Sequence, residues 1–377
     1  MEKNKIIPLF SHNITKEDKK SVINALNNQI LTGGPILEEF EKKFASFVNA
    51  RYAIGVSNAT SALFLSLKAL GIGKNDEVIV PDMTFVATAN SVIHTGAKPV
   101  IVDVDLSDLN ISIESINNAI TKKTKAILPV HFAGRPCNMK EIKKIIRDNK
   151  LFLIEDCAHA IGTMFNGKHV GLFGNAGCFS FYPTKNFTTI EGGMVITNSK
   201  EISEKIKILR NHGMTKTLQQ RYKNGNPWEY DVIESGYNFR LDEIRSALGI
   251  SQLKRIRINN RKRKLVAEYY SKNLKNVKGI NIPTNSYGID SHHLYIIRIN
   301  EKFNISRDEL YKKLLDNNII STIHYKPLHL FTAYKKFNIK SLKNSKKIYE
   351  EILTLPFFPE ISKKQQDKVI EIILESN

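Results

Sequence analysis

LFLIEDCAHAIGTMFNGKHVGLFGNAGCFSFYPTKNFTTIEGGMVITN, residues 151–198, holds three short apolar runs: LFLIED (151–156), CFSFY (178–182) and MVITN (194–198). Each is too brief for a helix, and continuous apolarity within it means burial on both faces, as in strands inside a helix-covered sheet. Towards the N-terminus the same texture recurs in YAIGVS (52–57), EVIVP (77–81), PVIVDV (99–104) and KAILPV (125–130), with amphipathic helical stretches between them. That alternation predicts an α/β fold built on a mostly parallel central sheet. After about Asp242 the texture changes to a long helical stretch, then a strand-like HLYIIRI (293–299), then shorter helices and the proline-punctuated TLPFFP. Two units are therefore expected: a large domain over 1–250 with an N-terminal arm, and a small C-terminal α/β domain over 251–377.

Composition narrows the function classes. The 377 residues carry 56 Lys and Arg against 37 Asp and Glu, a formal charge of +19, which suits a polyanionic partner. Yet the densest basic stretch, KRIRINNRKRK (254–264), keeps apolar Leu253, Ile256, Ile258 and Leu265 at helical spacing, so it reads as a solvated helix face. No zinc-finger spacing or RNA-binding aromatic signature accompanies it, and nucleic acid is not expected as a partner. No apolar run approaches a membrane span, and MEKNKIIPLF lacks the apolar stretch of a secretory signal. Cys137, Cys157 and Cys178 form no CxxC pair and read as buried thiols, so a cytoplasmic address is expected.

Open parallel sheets bind ligands where their strands end, so polar residues at those points are read first. GVSNATSAL brings the Ser57, Thr60 and Ser61 hydroxyls and backbone N–H groups to a helix start, a geometry that suits a phosphate, although Asn58 or Thr60 acting as a plain N-cap accounts for it too. Asp156 ends a buried strand and needs a partner; Glu155 alternates away from it, and His159 comes within reach if the chain turns into a helix. Lys185 follows CFSFYPT, a strand and proline turn that carries an amine into a cleft, where desolvation makes it a nucleophile toward an aldehyde. Gly192 and Gly193 suggest close backbone approach near that turn. His292, His293, His324 and His329 match no zinc spacing, two of them falling in the expected strand, and no metal is expected.

An acid at one strand end, a lysine at another and a phosphate cup are the parts of a pyridoxal 5'-phosphate (PLP) site. In this reading Asp156 keeps the pyridine nitrogen protonated and Lys185 forms the Schiff base and shuttles a proton. Ala59, Thr60 and Ser180 hold the phosphate, Phe85 in PDMTFVAT stacks on the ring, and His159 sits beside it.

From about Ile7 to the last helix the chain closely resembles the DegT/StrS family of PLP-dependent nucleotide-sugar aminotransferases. The matching stretches are TGGPILEEFEKKFA, SNATSAL, GIGKNDEVIVPDMTFVATAN, LFLIEDCAHAIG, FSFYPTKNFTTIEGG, RNHGM, GYNFRLDEIRSALGISQL and HYKPLH. The resemblance implies a fold-type-I homodimer with shared active sites, in which Asn238 reaches the phosphate across the interface. It places Arg240 and the segment His324 to His329, with Tyr325, on the sugar-nucleotide side. It implies transfer of an amino group from glutamate to a nucleotide-linked keto-deoxyhexose, expected to be a 4-keto-6-deoxy sugar. The alternatives are a 3-keto acceptor, a PLP-dependent dehydratase, against which Lys185 argues, and a basic nucleic-acid-binding protein. Two positions depart from the family pattern: His159 stands where many relatives carry Gln, and Ile190 where a glycine usually precedes Glu191.

Overall fold

The computed structural model describes residues 6–216, 221, 226–284, 287–337 and 342–377. Its centre is a seven-stranded sheet in the order β1-β9-β8-β5-β4-β2-β3. These strands are β1 (Tyr52–Val56), β2 (Glu77–Pro81), β3 (Lys98–Val102), β4 (Thr124–Ile127), β5 (Phe152–Asp156), β8 (Ala176–Ser180) and β9 (Gly193–Thr197). Between β5 and β8 lie the short strands β6 (Met164–Phe165) and β7 (Lys168–His169).

The pairs β2–β3, β2–β4, β4–β5 and β5–β8 are parallel, as expected. The MVITN run differs, since β9 is antiparallel to both β8 and β1. The physical reason is the connection: residues 181–192 contain no helix, so the chain folds straight back instead of crossing over. Because β9 is antiparallel to both neighbours, β1 points the same way as β8 and the rest of the sheet.

Alternation along each strand feeds two cores. Ile79, Ile127, Leu153, Phe179 and Ile196 pack with Phe40 and Phe44 on one face, while Val78, Ala126, Ile154, Cys178 and Val195 pack with Leu63, Leu65 and Leu67 on the other. All three cysteines are free and buried. A second sheet, in the order β10-β12-β13, joins β10 (Ile280–Asn281), β12 (Tyr295–Ile299) and β13 (Ile352–Leu355) over a separate core with Tyr270, Leu310 and Val369.

The chain crosses between these units several times. Ile7 bridges Ile319 and belongs to the second core, and β11 (Gly288–Ile289) pairs with β6. The KRIRINNRKRK stretch lies at the start of helix Ile256–Leu274, with Ile256, Asn259 and Arg263 buried and Arg257, Arg261, Lys262 and Lys264 in solvent. Among the described residues no helix is long and apolar enough to cross a membrane.

Candidate active site

Six strands point one way, so Val56, Pro81, Val102, Ile127, Asp156 and Ser180 end at a common edge, which the start of β9 at Gly193 joins. Asp156 is buried there. Its carboxylate accepts from Thr88 Oγ1 (2.9 Å) and from the Ala158 N–H (3.0 Å), and Thr88 is itself 2.7 Å from Thr84 Oγ1. Burial pushes the carboxyl above its ordinary range, while these bonds and the charge of Lys185 pull the other way.

Lys185 rides on the 181–192 return. Phe181 N–H donates to Gly192 O and Thr189 N–H to Phe181 O, closing the base of that loop, and Lys185 N–H donates to Tyr182 O. Burial lowers the amine to about 8, with the Asp156 carboxylate opposing the shift. An amine so placed is partly unprotonated near neutral pH, the form in which it attacks a carbonyl. The loop follows β8, whose Cys178 lies beside Asp156 in the sheet, and each group feels the other's charge.

His159 does not reach Asp156, contrary to expectation. The chain after Asp156 makes turns rather than a helix, with Ala160 N–H donating to Cys157 O. The imidazole instead accepts the Ala133 N–H at Nδ1 (3.2 Å) and meets Tyr325 Oη at Nε2 (3.1 Å), with the His293 ring centroid 4.4 Å away. Glu155, on the opposite side of β5, accepts from the Gly171, Phe173 and Gly174 N–H groups and pairs with His131; it pins a loop.

At the end of β1, Asn58 caps helix Ala59–Ala69 by accepting the Ser61 N–H (2.8 Å). That cap leaves the Ala59 and Thr60 N–H groups without a partner among the described residues, as free donors at a helix start. Ser57 Oγ and Ser61 Oγ stand 3.0 Å apart beside them. Gly193 lies tightly against this turn, so that a Cβ there would fall 2.5 Å from Asn58 O. Ser180 is buried next to Gly193 in the sheet register. Free N–H donors, a buried carboxylate and a partly unprotonated amine at one edge fit a phosphorylated pyridine aldehyde in charge and in donor set.

The remaining candidates are distributed unevenly. Phe85 is 57% exposed, a bare aromatic face 5.9 Å from the Tyr325 ring. His324 Nδ1 meets Thr354 Oγ1 (3.0 Å), and His329 bonds to the buried Asp82 through both its N–H and Nδ1. Asn238 is exposed and bridges Asn211 through its backbone. Arg240 donates to Asn211 Oδ1 (3.0 Å) and lines a basic cleft of about 270 Å³ with Lys207, Arg210, His212 and Arg221. His292 and His293 are not in a strand, since β12 begins at Tyr295. His292 sits at φ +52, in a turn that aims His293 at His159.

Sequence reasoning missed Thr88, Ala133 and Asn186, and read His293 only to set a metal aside. Asn186 links the lysine loop outward, with its amide donating to Ser291 O and Asn260 Oδ1 and its Oδ1 meeting His293 Nδ1. Only TFVATAN, where two threonines and an asparagine follow a strand end, carried a local signal for Thr88. The other three partnerships join distant segments.

A profile of the DegT/DnrJ/EryC1/StrS aminotransferase family matches residues 12–374. The spore coat polysaccharide biosynthesis protein SpsC of Bacillus subtilis is 39% identical, covering 99% of this chain and 97% of its own. Among solved structures, Helicobacter pylori PseC, an aminotransferase involved in the biosynthesis of pseudoaminic acid, superposes with a TM-score of 0.92 at 32% identity over 99% of each chain. The Streptococcus pneumoniae protein Spr1654 in its PLP form gives 0.91 at 28% identity, over 99% of this chain and 98% of its own.

Proposed function

The chain belongs to the DegT/DnrJ/EryC1/StrS aminotransferase family, a family of PLP-dependent sugar aminotransferases, and from that premise we propose that it moves an amino group from glutamate to a nucleotide-linked 4-keto-6-deoxy sugar. The observation that carries the reading is a buried Lys185 amine, lowered to about 8, that feels the charge of the buried Asp156 carboxylate at the edge where the helix-start donors gather.

When bound, PLP supplies an aldehyde carbon that accepts an amino group and a ring that draws electrons from the bond to be broken. Asp156, anchored by Thr88 and the Ala158 N–H, offers a carboxylate to the ring nitrogen and holds a proton there. Ala59 and Thr60 N–H groups, with Ser180, bind the phosphate. Lys185 would hold the aldehyde carbon and, when released, its amine would take the proton from the amino-bearing carbon and pass it to the cofactor, and the reverse toward the acceptor. The exposed Phe85 would cover one face of the ring and exclude water from it.

Two chains complete the site in this reading. The exposed Asn238 and the basic cleft around Arg240 then serve the partner's site, Asn238 at the cofactor phosphate and Arg240 at the sugar diphosphate. The segment His324 to His329 lines the sugar.

The assay is an amino-transfer reaction with glutamate and, separately, 3-keto and 4-keto nucleotide sugars, with products read by mass spectrometry. A yellow protein that bleaches on adding glutamate and aminates the 4-keto compound is the expected result. Amination of the 3-keto compound alone rejects the acceptor, and a protein with no bound chromophore rejects the cofactor.

A further inference from the structure

Two bonds fix where the proton of His159 sits. The Ala133 N–H donates to Nδ1, so Nδ1 presents a lone pair, and Nε2 faces Tyr325 Oη. Burial, then the charge of Lys185, hold this imidazole well below its ordinary range, so the ring is neutral. A neutral ring with its lone pair on Nδ1 carries its single proton on Nε2 and donates it to Oη.

The phenol oxygen is thereby an acceptor, and its own proton must point elsewhere. Burial, with the Asp156 charge added, pushes the phenol above its ordinary range, so that proton stays on. Among the described residues His159 is the one hydrogen-bond partner of Tyr325 Oη, so the proton has no acceptor among them. A buried donor left open, on a ring stacked with His159 and tilted against Phe85, implies an oxygen acceptor that binding brings in.

The backbone is bent to make this arrangement. Ala133 stands at φ +58, the left-handed region that disfavours a residue with a Cβ. From there its N–H reaches His159 while its C=O accepts the His293 N–H (2.9 Å). Strained backbone maintained by its surroundings clusters where geometry serves chemistry.

We propose that Tyr325 is a catalytic residue, donating its hydroxyl proton in a hydrogen bond to an oxygen of the bound cofactor or of the keto sugar. Ala133 and His159 are the positioning residues that turn that proton into the site. The proposal rests on the aminotransferase reading for the identity of the acceptor, but not for the direction of the hydrogen bonds.

The test compares holoenzyme carrying Tyr325→Phe with wild type. If the oxygen is the cofactor's, the pH midpoint of the visible absorption moves by about one unit in the resting enzyme. If it is the sugar's, the resting spectrum stays as it was and kcat falls roughly tenfold, the worth of one hydrogen bond to a polar or charged oxygen, with KM changed less. An unchanged spectrum together with unchanged kcat and KM overturns the proposal. His159→Gln supplies an amide oxygen that accepts from Ala133 and an amide N–H that donates to Tyr325, so it should lose less kcat than His159→Leu. His159→Leu should match Tyr325→Phe, with no further loss in the double variant; a His159→Leu enzyme as active as wild type overturns the positioning role. Nitrogen NMR of His159 decides the direction of the bonds even if the chromophore is missing. A neutral Nε2–H tautomer between about pH 6 and 8 supports the proposal, and an Nδ1–H ring or an imidazolium overturns it.

Discussion

Replacing Gly193 with alanine tests whether the start of helix Ala59–Ala69 is the phosphate cup. The added Cβ would lie 2.5 Å from Asn58 C and O and 2.8 Å from Ala59 N, all backbone atoms, so the helix start must shift. Overpacking of this kind costs about 1–3 kcal/mol. Removing a glycine from a strand returns about 0.5–1 kcal/mol, leaving a net loss of ~1–2 kcal/mol and a fall in Tm of a few degrees. The same shift displaces the free Ala59 and Thr60 N–H donors. Losing one hydrogen bond to a charged phosphate is worth about 1.5–3 kcal/mol, so PLP affinity should drop by roughly ten- to a hundredfold. Gly167→Ala is the control, because Gly167 has φ +77 with nothing within 4 Å and so introduces strain without crowding the cup. Titrating stripped enzyme with PLP, alongside thermal melts, separates the two effects. A Gly193→Ala protein that melts lower but binds PLP as tightly as wild type would refute the location of the cup.

Ile190 holds φ +71 while 62% exposed, so Ile190→Gly should stabilise the protein by about 1 kcal/mol in chemical denaturation. Lys185 is lowered from 10.5 to about 8 on folding, so between these values the unfolded chain binds more protons and stability of the cofactor-free protein rises with pH. Lys185→Met should flatten that rise and melt higher than wild type below pH 8, with the difference gone above 10.5. Asp82→Ala strips the His329 N–H and Nδ1 of their acceptor, and should lower stability by about 2–3 kcal/mol by denaturant titration. Arg240→Ala should raise the KM for the nucleotide sugar about tenfold while leaving the absorption spectrum of bound PLP unchanged.

The strands were legible because burial on both faces leaves an unbroken apolar signature, and Asp156 and Lys185 because each follows such a run directly. Direction was not legible: MVITN reads the same either way, and only the helix-free 181–192 connection makes β9 antiparallel. At Asn58 two readings of one motif hold together, since the side chain caps Ser61 while the two preceding N–H groups of the turn stay free. The departure at Ile190 proved to be a left-handed position, which is why glycine suits it. His159 comes within reach of Asp156 only if a helix follows; the chain turns instead, and its neighbours, Ala133 and Tyr325, come from segments 26 and 166 residues away. Periodicity and local spacing carry no information at that range.

The Asp82 carboxylate, at the end of a strand of the large sheet, is fastened to the turn that follows HYKP. Nearby, Ser291 Oγ donates to His159 O, and Leu328 N–H donates to Asp82 O. Those bonds rivet the turn after HYKP and the segment around Ser291 to the strand ends where the candidate site lies.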